Sequence, residues 1–214
     1  MNKLDKKLDK ANEFFRKKRD KLFSPIIKGF DRLGISANTL SLSKLFFACL
    51  YLLLIKNNFL LAIFFIFLGG VFIDLLDGPL ARYTNKASDR GKFVDSFSDQ
   101  LVYGLFIWGL IIINVGSPII LSFNMIIISS LYIIMIVNKN ELLESDWIIK
   151  PIARASYYKL VLEISVILHL FFSMNEFFFN KTIFIVNILV TIHFMYHLIK
   201  FSNKKYFKNK PNTL

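Results

Sequence analysis

The chain reads as an all-α integral membrane protein: six transmembrane helices preceded by an amphipathic helix in the membrane interface. Three observations carry that reading. Of 214 residues, 55% are hydrophobic, and the mean hydropathy is +0.51, too apolar for a soluble domain. The apolar residues gather in six runs, roughly 39–55, 59–76, 96–115, 118–137, 152–173 and 177–199. Each is near the ~20 residues that cross ~30 Å of hydrocarbon. The basic residues, finally, follow the links between the runs.

Residues 1–33 place Leu4, Leu8, Ala11, Phe15, Leu22, Ile26, Phe30 and Leu33 close to helical period, with lysines and arginines between them. That is the pattern of a helix lying on a membrane, and its phenylalanines favour this over a solvated basic tail. Ser24-Pro25 predicts a break and restart, since proline suits a first helical turn. Three regions follow: a basic amphipathic juxtamembrane segment over 1–36, a six-helix membrane domain over 37–200 and a basic cytoplasmic tail over 201–214. About 35 polar or basic residues precede the first long apolar run, so no cleavable signal peptide is expected.

The links set the orientation. Lys plus Arg number eleven before the first run, four in 82–92, four in 139–159 and five from Lys200 onward. The opposite links hold only Lys56 and Lys181, with Lys44 inside the first run. The positive-inside rule then places both termini in the cytoplasm and requires an even number of spans. The net charge of +12 is thus spread by topology, not as a basic patch interleaved with base-stacking aromatics, which argues against nucleic acid and for anionic lipid and phosphate partners. Asn114-Val115-Gly116-Ser117-Pro118 is a short uncharged turn. Gly69 and Gly70 allow the second run to approach a neighbour closely. The one cysteine, Cys49, lies in an apolar run and is expected to be an inert core residue.

The informative stretch is Asp74-Leu75-Leu76-Asp77-Gly78-Pro79-Leu80-Ala81-Arg82 followed by Gly91-Lys92-Phe93-Val94-Asp95-Ser96-Phe97-Ser98-Asp99. Charges at membrane depth are costly and mark function by default. Asp74 and Asp77 are three apart and Asp95 and Asp99 four apart, so on helices each pair shares a face. Two such faces turned together make a four-carboxylate cage. Such a cage calls for hard divalent cations that take oxygen ligands, magnesium or manganese.

Written as D-G-x-x-A-R, eight residues, G, three, D, three, D, the stretch fills seven fixed positions over 23 residues. It resembles the signature of the CDP-alcohol phosphatidyltransferases, membrane enzymes of phospholipid synthesis. The resemblance implies a phosphotransferase that moves a phosphatidyl-type group, or an archaeal ether-lipid equivalent, from a CDP-linked lipid to a small alcohol and releases CMP. It further implies two divalent ions and a homodimer. Asp74, Asp77 and Asp95 would be metal ligands, and Asp99 would complete the metal site and act as the base for the acceptor hydroxyl. Gly78, Ala81 and Gly91 would leave room for the nucleotide, and Arg82 would clamp the pyrophosphate through its forked donors.

Ala37-Asn38-Thr39-Leu40-Ser41-Leu42-Ser43-Lys44 is similar to the P-N-x-x-T-x-x-R of several family members, with Ala37, Ser41 and Lys44 departing. Asn38 is either a nucleotide or phosphate ligand or a helix cap, and Lys44 either a phosphate contact or a snorkelling charge. Lys150, Arg154 and Lys159 are candidate acceptor-binding residues, with a topological role as the alternative. Ser96 and Gln100 stand where the glycerophosphate-using branch has proline and lysine, so D-S-x-x-D looks more like branches using inositol phosphate or serine. His193 and His197 make half a zinc site at best, and aromatic packing accounts for them better. Two competing classes remain: a divalent-cation channel or transporter using the same acids, and an inactive scaffold. The acids lie at the ends of two spans and not along a path across the midplane, against the first. The complete motif argues against the second.

Overall fold

A computed structural model describes residues 3–142 and 151–208, and every regular element among them is a helix. The chain forms two compact units, residues 1–113 and 114–214.

The first unit holds α1 (Lys3–Arg32), α2 (Ala37–Leu54), α3 (Phe59–Phe67), a π-helical segment (Leu68–Ile73) running without a break into α4 (Asp74–Tyr83), and α5 (Asp89–Ile112). Side-chain caps start three of them. Ser36 accepts from Thr39 N at 3.1 Å, Asn58 from Leu61 N at 3.2 Å and Ser88 from Gly91 N at 3.1 Å, each serving a donor that the first turn leaves orphaned. α1 ends at Gly34, whose φ of +69° suits a residue without Cβ.

α2 is the central element, packed against α5, α3, the π segment and α4, while α1 lies along α4. Ile27, Leu40, Ile73, Leu76 and Leu80 join α1, α2, the π segment and α4 in one apolar cluster. A second, built on Tyr51, Ile55 and Ala62, closes the other end of the unit, where the Tyr51 hydroxyl donates to the Phe106 carbonyl at 3.0 Å. Gly109 is bare where the Tyr51 ring crosses α5.

The second unit holds α6 (Pro118–Leu142), α7 (Pro151–Phe171) and α8 (Glu176–Lys208), packed pairwise. Buried Asn124 donates to Asn187 Oδ1 at 2.6 Å, and Asn187 donates to the Ile120 carbonyl at 3.0 Å. Such amide pairs hold apolar helices together where water does not compete. At the turn before α6, Gly116 has a φ of +75°, and Ser117 N donates to Asn180 Oδ1 at 2.7 Å.

Four described helices are long and apolar enough to cross a membrane: Ala37–Leu54, Phe59–Tyr83, Pro118–Met135 and Glu176–Ser202. Between 22% and 39% of each is buried within the protein, and their outward faces carry residues such as Phe46, Phe64, Ile133 and Ile192. Protein that leaves so much apolar surface uncovered belongs in lipid. The expected runs at 96–115 and 152–173 are helices too, α5 and α7, but Asp95, Asp99 and Gln100 in one and Lys159 and Glu163 in the other dilute their apolar character.

Two expectations are corrected. α1 is not broken at Ser24-Pro25 but runs through it. The proline forfeits only the bond to the Lys21 carbonyl, and both residues are exposed, so no buried group is stranded. Cys49 is exposed on α2 and is not a core residue.

Gly69 and Gly70 separate cleanly. A Cβ on Gly69 would lie 2.9 Å from Phe47 Cβ and 3.1 Å from the Lys44 carbonyl, whereas one on Gly70 meets nothing nearer than Val102 at 3.6 Å. Gly69→Ala is therefore expected to force α2 away and cost about 1–3 kcal/mol, and Gly70→Ala to stay within about 0.5 kcal/mol of wild type. Thermal unfolding of the two variants in detergent measures the difference, and equal melting temperatures would refute the close-approach role.

Candidate functional site: an acidic cage beside a cavity

The four aspartates converge. α4 presents Asp74 and Asp77 in its first turn, one helical turn apart, and α5 presents Asp95 and Asp99. The wide π turn immediately precedes Asp74, as such turns often do at functional sites. Into the middle of the four comes Lys44 of α2. Its Nζ lies 2.8 Å from Asp74 Oδ1, 2.9 Å from Asp77 Oδ2, 2.6 Å from Asp95 Oδ1 and 2.8 Å from Asp99 Oδ1. An ammonium has three hydrogens, and they go to Asp74, Asp95 and Asp99. Asp77 Oδ2 takes its hydrogen bond from the buried Ser41 hydroxyl at 2.9 Å.

Lys44 therefore neither snorkels nor stands free for a phosphate. It is fully buried, at 0% exposure, because its place on α2 faces four carboxylates whose mutual repulsion outweighs the hydration an interface would offer. Close contact of α2 with bare Gly69, at the Lys44 carbonyl itself, sets that depth.

Next to the cage is a cavity of about 120 Å³ that shares Asp77 and Asp95 with it. Its other walls include Asn38, Gly78, Ala81, Arg82 and Gly91, all five residues assigned to the nucleotide, together with Ser41, Lys86 and Ser88. Asn38 does not cap α2, since Ser36 does. Its Oδ1 instead stands 3.3 Å from where a Cβ on Gly91 would be. At Gly78 a Cβ would lie 3.4 Å from Arg82 Nη1 and 3.7 Å from Arg19 Nη2, so two guanidinium groups overhang an open stretch of backbone.

Arg82 is held from α1. Its Nε donates to Asp20 Oδ2 at 2.9 Å and its Nη2 to Asp20 Oδ1 at 2.6 Å. That bidentate pair occupies one edge of the fork and leaves Nη1 toward Gly78. The Arg82 hydrogen bond holds the Asp20 carboxyl below the ordinary aspartate range, against a smaller opposing effect of burial. Neighbouring Arg19 has a buried Nε with no hydrogen-bond partner among the described residues. Nothing in the sequence separates Arg19 and Asp20 from the other charges of α1; only the packing of α1 along α4 brings them here.

Of the candidate acceptor-binding residues, Lys150 lies outside the described residues, as does the side chain of Arg154, whose backbone belongs to α7. Lys159 places its Nζ 4.9 Å from the centre of the Tyr132 ring. His193 and His197 face each other at 3.2 Å, with the Tyr158 hydroxyl 3.4 Å from His193, an aromatic and hydrogen-bonded packing arrangement.

The donor set fits a hard divalent metal. Asp74, Asp95 and Asp99 each offer an oxygen within 4.8 Å of the others, and the oxygens around one octahedral ion at about 2.1 Å are about 3–4 Å apart. An ammonium already stands among them.

A family model described as CDP-alcohol phosphatidyltransferase matches residues 35–193, a stretch that contains all four acids, Lys44 and the assigned walls of the cavity. The chain belongs to that family. Among curated proteins it is 42% identical over 52 residues to the CDP-diacylglycerol--serine O-phosphatidyltransferase of Bacillus subtilis, covering 24% of this chain and 29% of that one. To the archaetidylinositol phosphate synthase of Pyrococcus horikoshii it is 37% identical over 86 residues, 37% of this chain and 45% of that one. An uncharacterized protein of Aquifex aeolicus is 33% identical over 90 residues, 39% and 45% of the two chains. The matches thus span less than half the length of these relatives. No solved structure matches the chain.

For this CDP-alcohol phosphatidyltransferase family member, the Asp20–Arg82 pair makes a stability prediction with a definite sign. A carboxylate whose folded pKa is depressed contributes stability that is complete above its unfolded value of about 4 and is lost as pH falls through the folded value. Both side chains are about one-third exposed, so the expected loss in Asp20→Asn is about 0.5–1 kcal/mol near neutral pH. Thermal unfolding should show the variant below wild type at neutral pH and level with it in strong acid. A gap that persists in acid would rule out the ion pair as its source.

Proposed function

We propose that this protein transfers a phosphatidyl-type group from a CDP-linked lipid to serine or an inositol phosphate, with release of CMP, in phospholipid biosynthesis. One observation carries the reading: the acidic cage and the cavity walled by Asn38, Gly78, Ala81, Arg82 and Gly91 adjoin and share Asp77 and Asp95. That adjacency suits a nucleotide diphosphate held beside a metal better than an ion pathway, and family membership supports transfer chemistry. The names of two relatives, a serine O-phosphatidyltransferase and an archaetidylinositol phosphate synthase, agree with Ser96 and Gln100 in favouring these acceptors over glycerol phosphate.

In this reading Asp74, Asp77, Asp95 and Asp99 hold two divalent ions, Mg²⁺ or Mn²⁺. When bound, such ions supply neutralisation of the diphosphate and of the charge that builds on the leaving phosphate. Asn38 and the backbone at Gly78, Ala81 and Gly91 receive the nucleotide, and Arg82 holds the diphosphate through the donors that Asp20 leaves free. Asp99 accepts the proton of the acceptor hydroxyl as its oxygen attacks the phosphorus that bears the lipid. The bond from that phosphorus to the bridging oxygen breaks, and CMP leaves with the oxygen and the electron pair. Lys150, Arg154 and Lys159 bind the phosphate of a phosphorylated acceptor.

The proposed setting is the cell membrane: an interfacial segment over 1–36, a six-span domain over 37–200 that adds α5 and α7 to the four long apolar helices, and a tail over 201–214. The site and both termini face the cytoplasm, as the lysine and arginine balance of the links supports, and the chain works as a homodimer.

Membranes containing the protein, CDP-diacylglycerol or its ether-lipid equivalent, and one of serine, inositol phosphate, glycerol phosphate or inositol are expected to release CMP with serine or inositol phosphate only, and none in EDTA. Asp99→Asn should lower that release by about 10²–10⁴-fold. No CMP with any acceptor would reject the function, and full activity in Asp99→Asn would reject the base. If inositol phosphate is the acceptor, Lys159→Met should raise its KM and leave that of the donor unchanged; a change in the donor's KM alone would reject the acceptor role.

A further inference from the structure

The position of Lys44 has a consequence for how the cage takes up metal. Its Nζ lies between 2.6 and 2.9 Å from an oxygen of each of the four aspartates, and a divalent ion bonded to the same oxygens at about 2.1 Å would occupy the same volume. Two cations cannot share it. Steric exclusion and like-charge repulsion act in the same direction.

We propose that Lys44 is a tethered counter-ion that holds the cage together before metal arrives and must withdraw its ammonium for metal to bind. This rests on the metal reading of the proposed function. Without Lys44 the four carboxylates would face one another with no cation among them, although Asp77 is almost fully buried at 5% exposure. With it, α2, α4 and α5 are tied at a single point. The backbone of α2 is closely packed at this point, with the Lys44 carbonyl set against Gly69, and withdrawing it would open that contact. The side chain has to move instead. The adjoining cavity reaches Ser41, one turn back along α2, and shares Asp77 and Asp95 with the cage, so it offers room to a withdrawing ammonium.

The experiment compares wild type, Lys44→Met and Lys44→Arg, each as the purified full chain in detergent. Mn²⁺ binding is followed by electron paramagnetic resonance of the free ion, with thermal unfolding in EDTA and in Mn²⁺. Lys44→Met removes the competitor and its charge-assisted contacts, so it should bind Mn²⁺ at least about tenfold more tightly. It should also unfold at a lower temperature than wild type in EDTA and regain more than wild type does from Mn²⁺. Lys44→Arg keeps a cation and should bind within a few-fold of wild type. If metal-free Lys44→Met does not stay folded, chelator competition from the Mn²⁺-loaded protein yields the same affinity. Equal or weaker Mn²⁺ binding by Lys44→Met overturns the inference while leaving the metal site intact. Mn²⁺ binding by none of the three overturns the metal reading itself, and this inference with it.

Discussion

Four carboxylates gathered between apolar helices have to be neutralised, and the rest of the first unit is arranged to allow it. The repulsion among Asp74, Asp77, Asp95 and Asp99 is relieved by a cation at their centre, and Lys44 supplies one from a third helix. Reaching that centre demands that α2 lie deep against its neighbour. Bare Gly69 permits the approach, and the π turn before Asp74 belongs to the same stretch. The electrostatic requirement and the close packing are one constraint seen at two scales. Relaxing either would draw the lysine out of reach of the acids.

Helix α1 is part of the site. α1 resembles an anchor in its basic, amphipathic pattern, yet Asp20 orients Arg82 and Arg19 overhangs Gly78. The arginine that a family resemblance assigns to the diphosphate thus depends for its aim on a segment outside the stretch that matches the family.

Legibility varied with the physics involved. The acidic motif was readable because the three- and four-residue spacings have one geometric meaning on helices, and because charge in an apolar setting is rare enough to stand out. The residues that wall the cavity were readable as a group through the family pattern. Lys44 was misjudged, since a lysine near the end of a span has an inexpensive alternative in snorkelling. The break at Pro25 failed because a proline on an exposed helix face strands no buried carbonyl. Counting spans from apolar runs was weakest at α5 and α7, where functional or polar residues interrupt the hydrophobic pattern.

Helical character, membrane residence, the basic asymmetry of the links and the set of residues able to hold a metal were all present in the chain order, because each depends on local spacing and composition. The partner of each charge was not. Whether Lys44 met water, phosphate or carboxylate, whether Asn38 capped a helix or walled a cavity, and whether Asp20 faced solvent or held Arg82 depended on contacts across 30 to 62 residues of sequence separation, as between Lys44 and Asp74 and between Asp20 and Arg82. Electrostatic pairing is decided by distances of a few ångströms, and only the packing of α1, α2, α4 and α5 sets those.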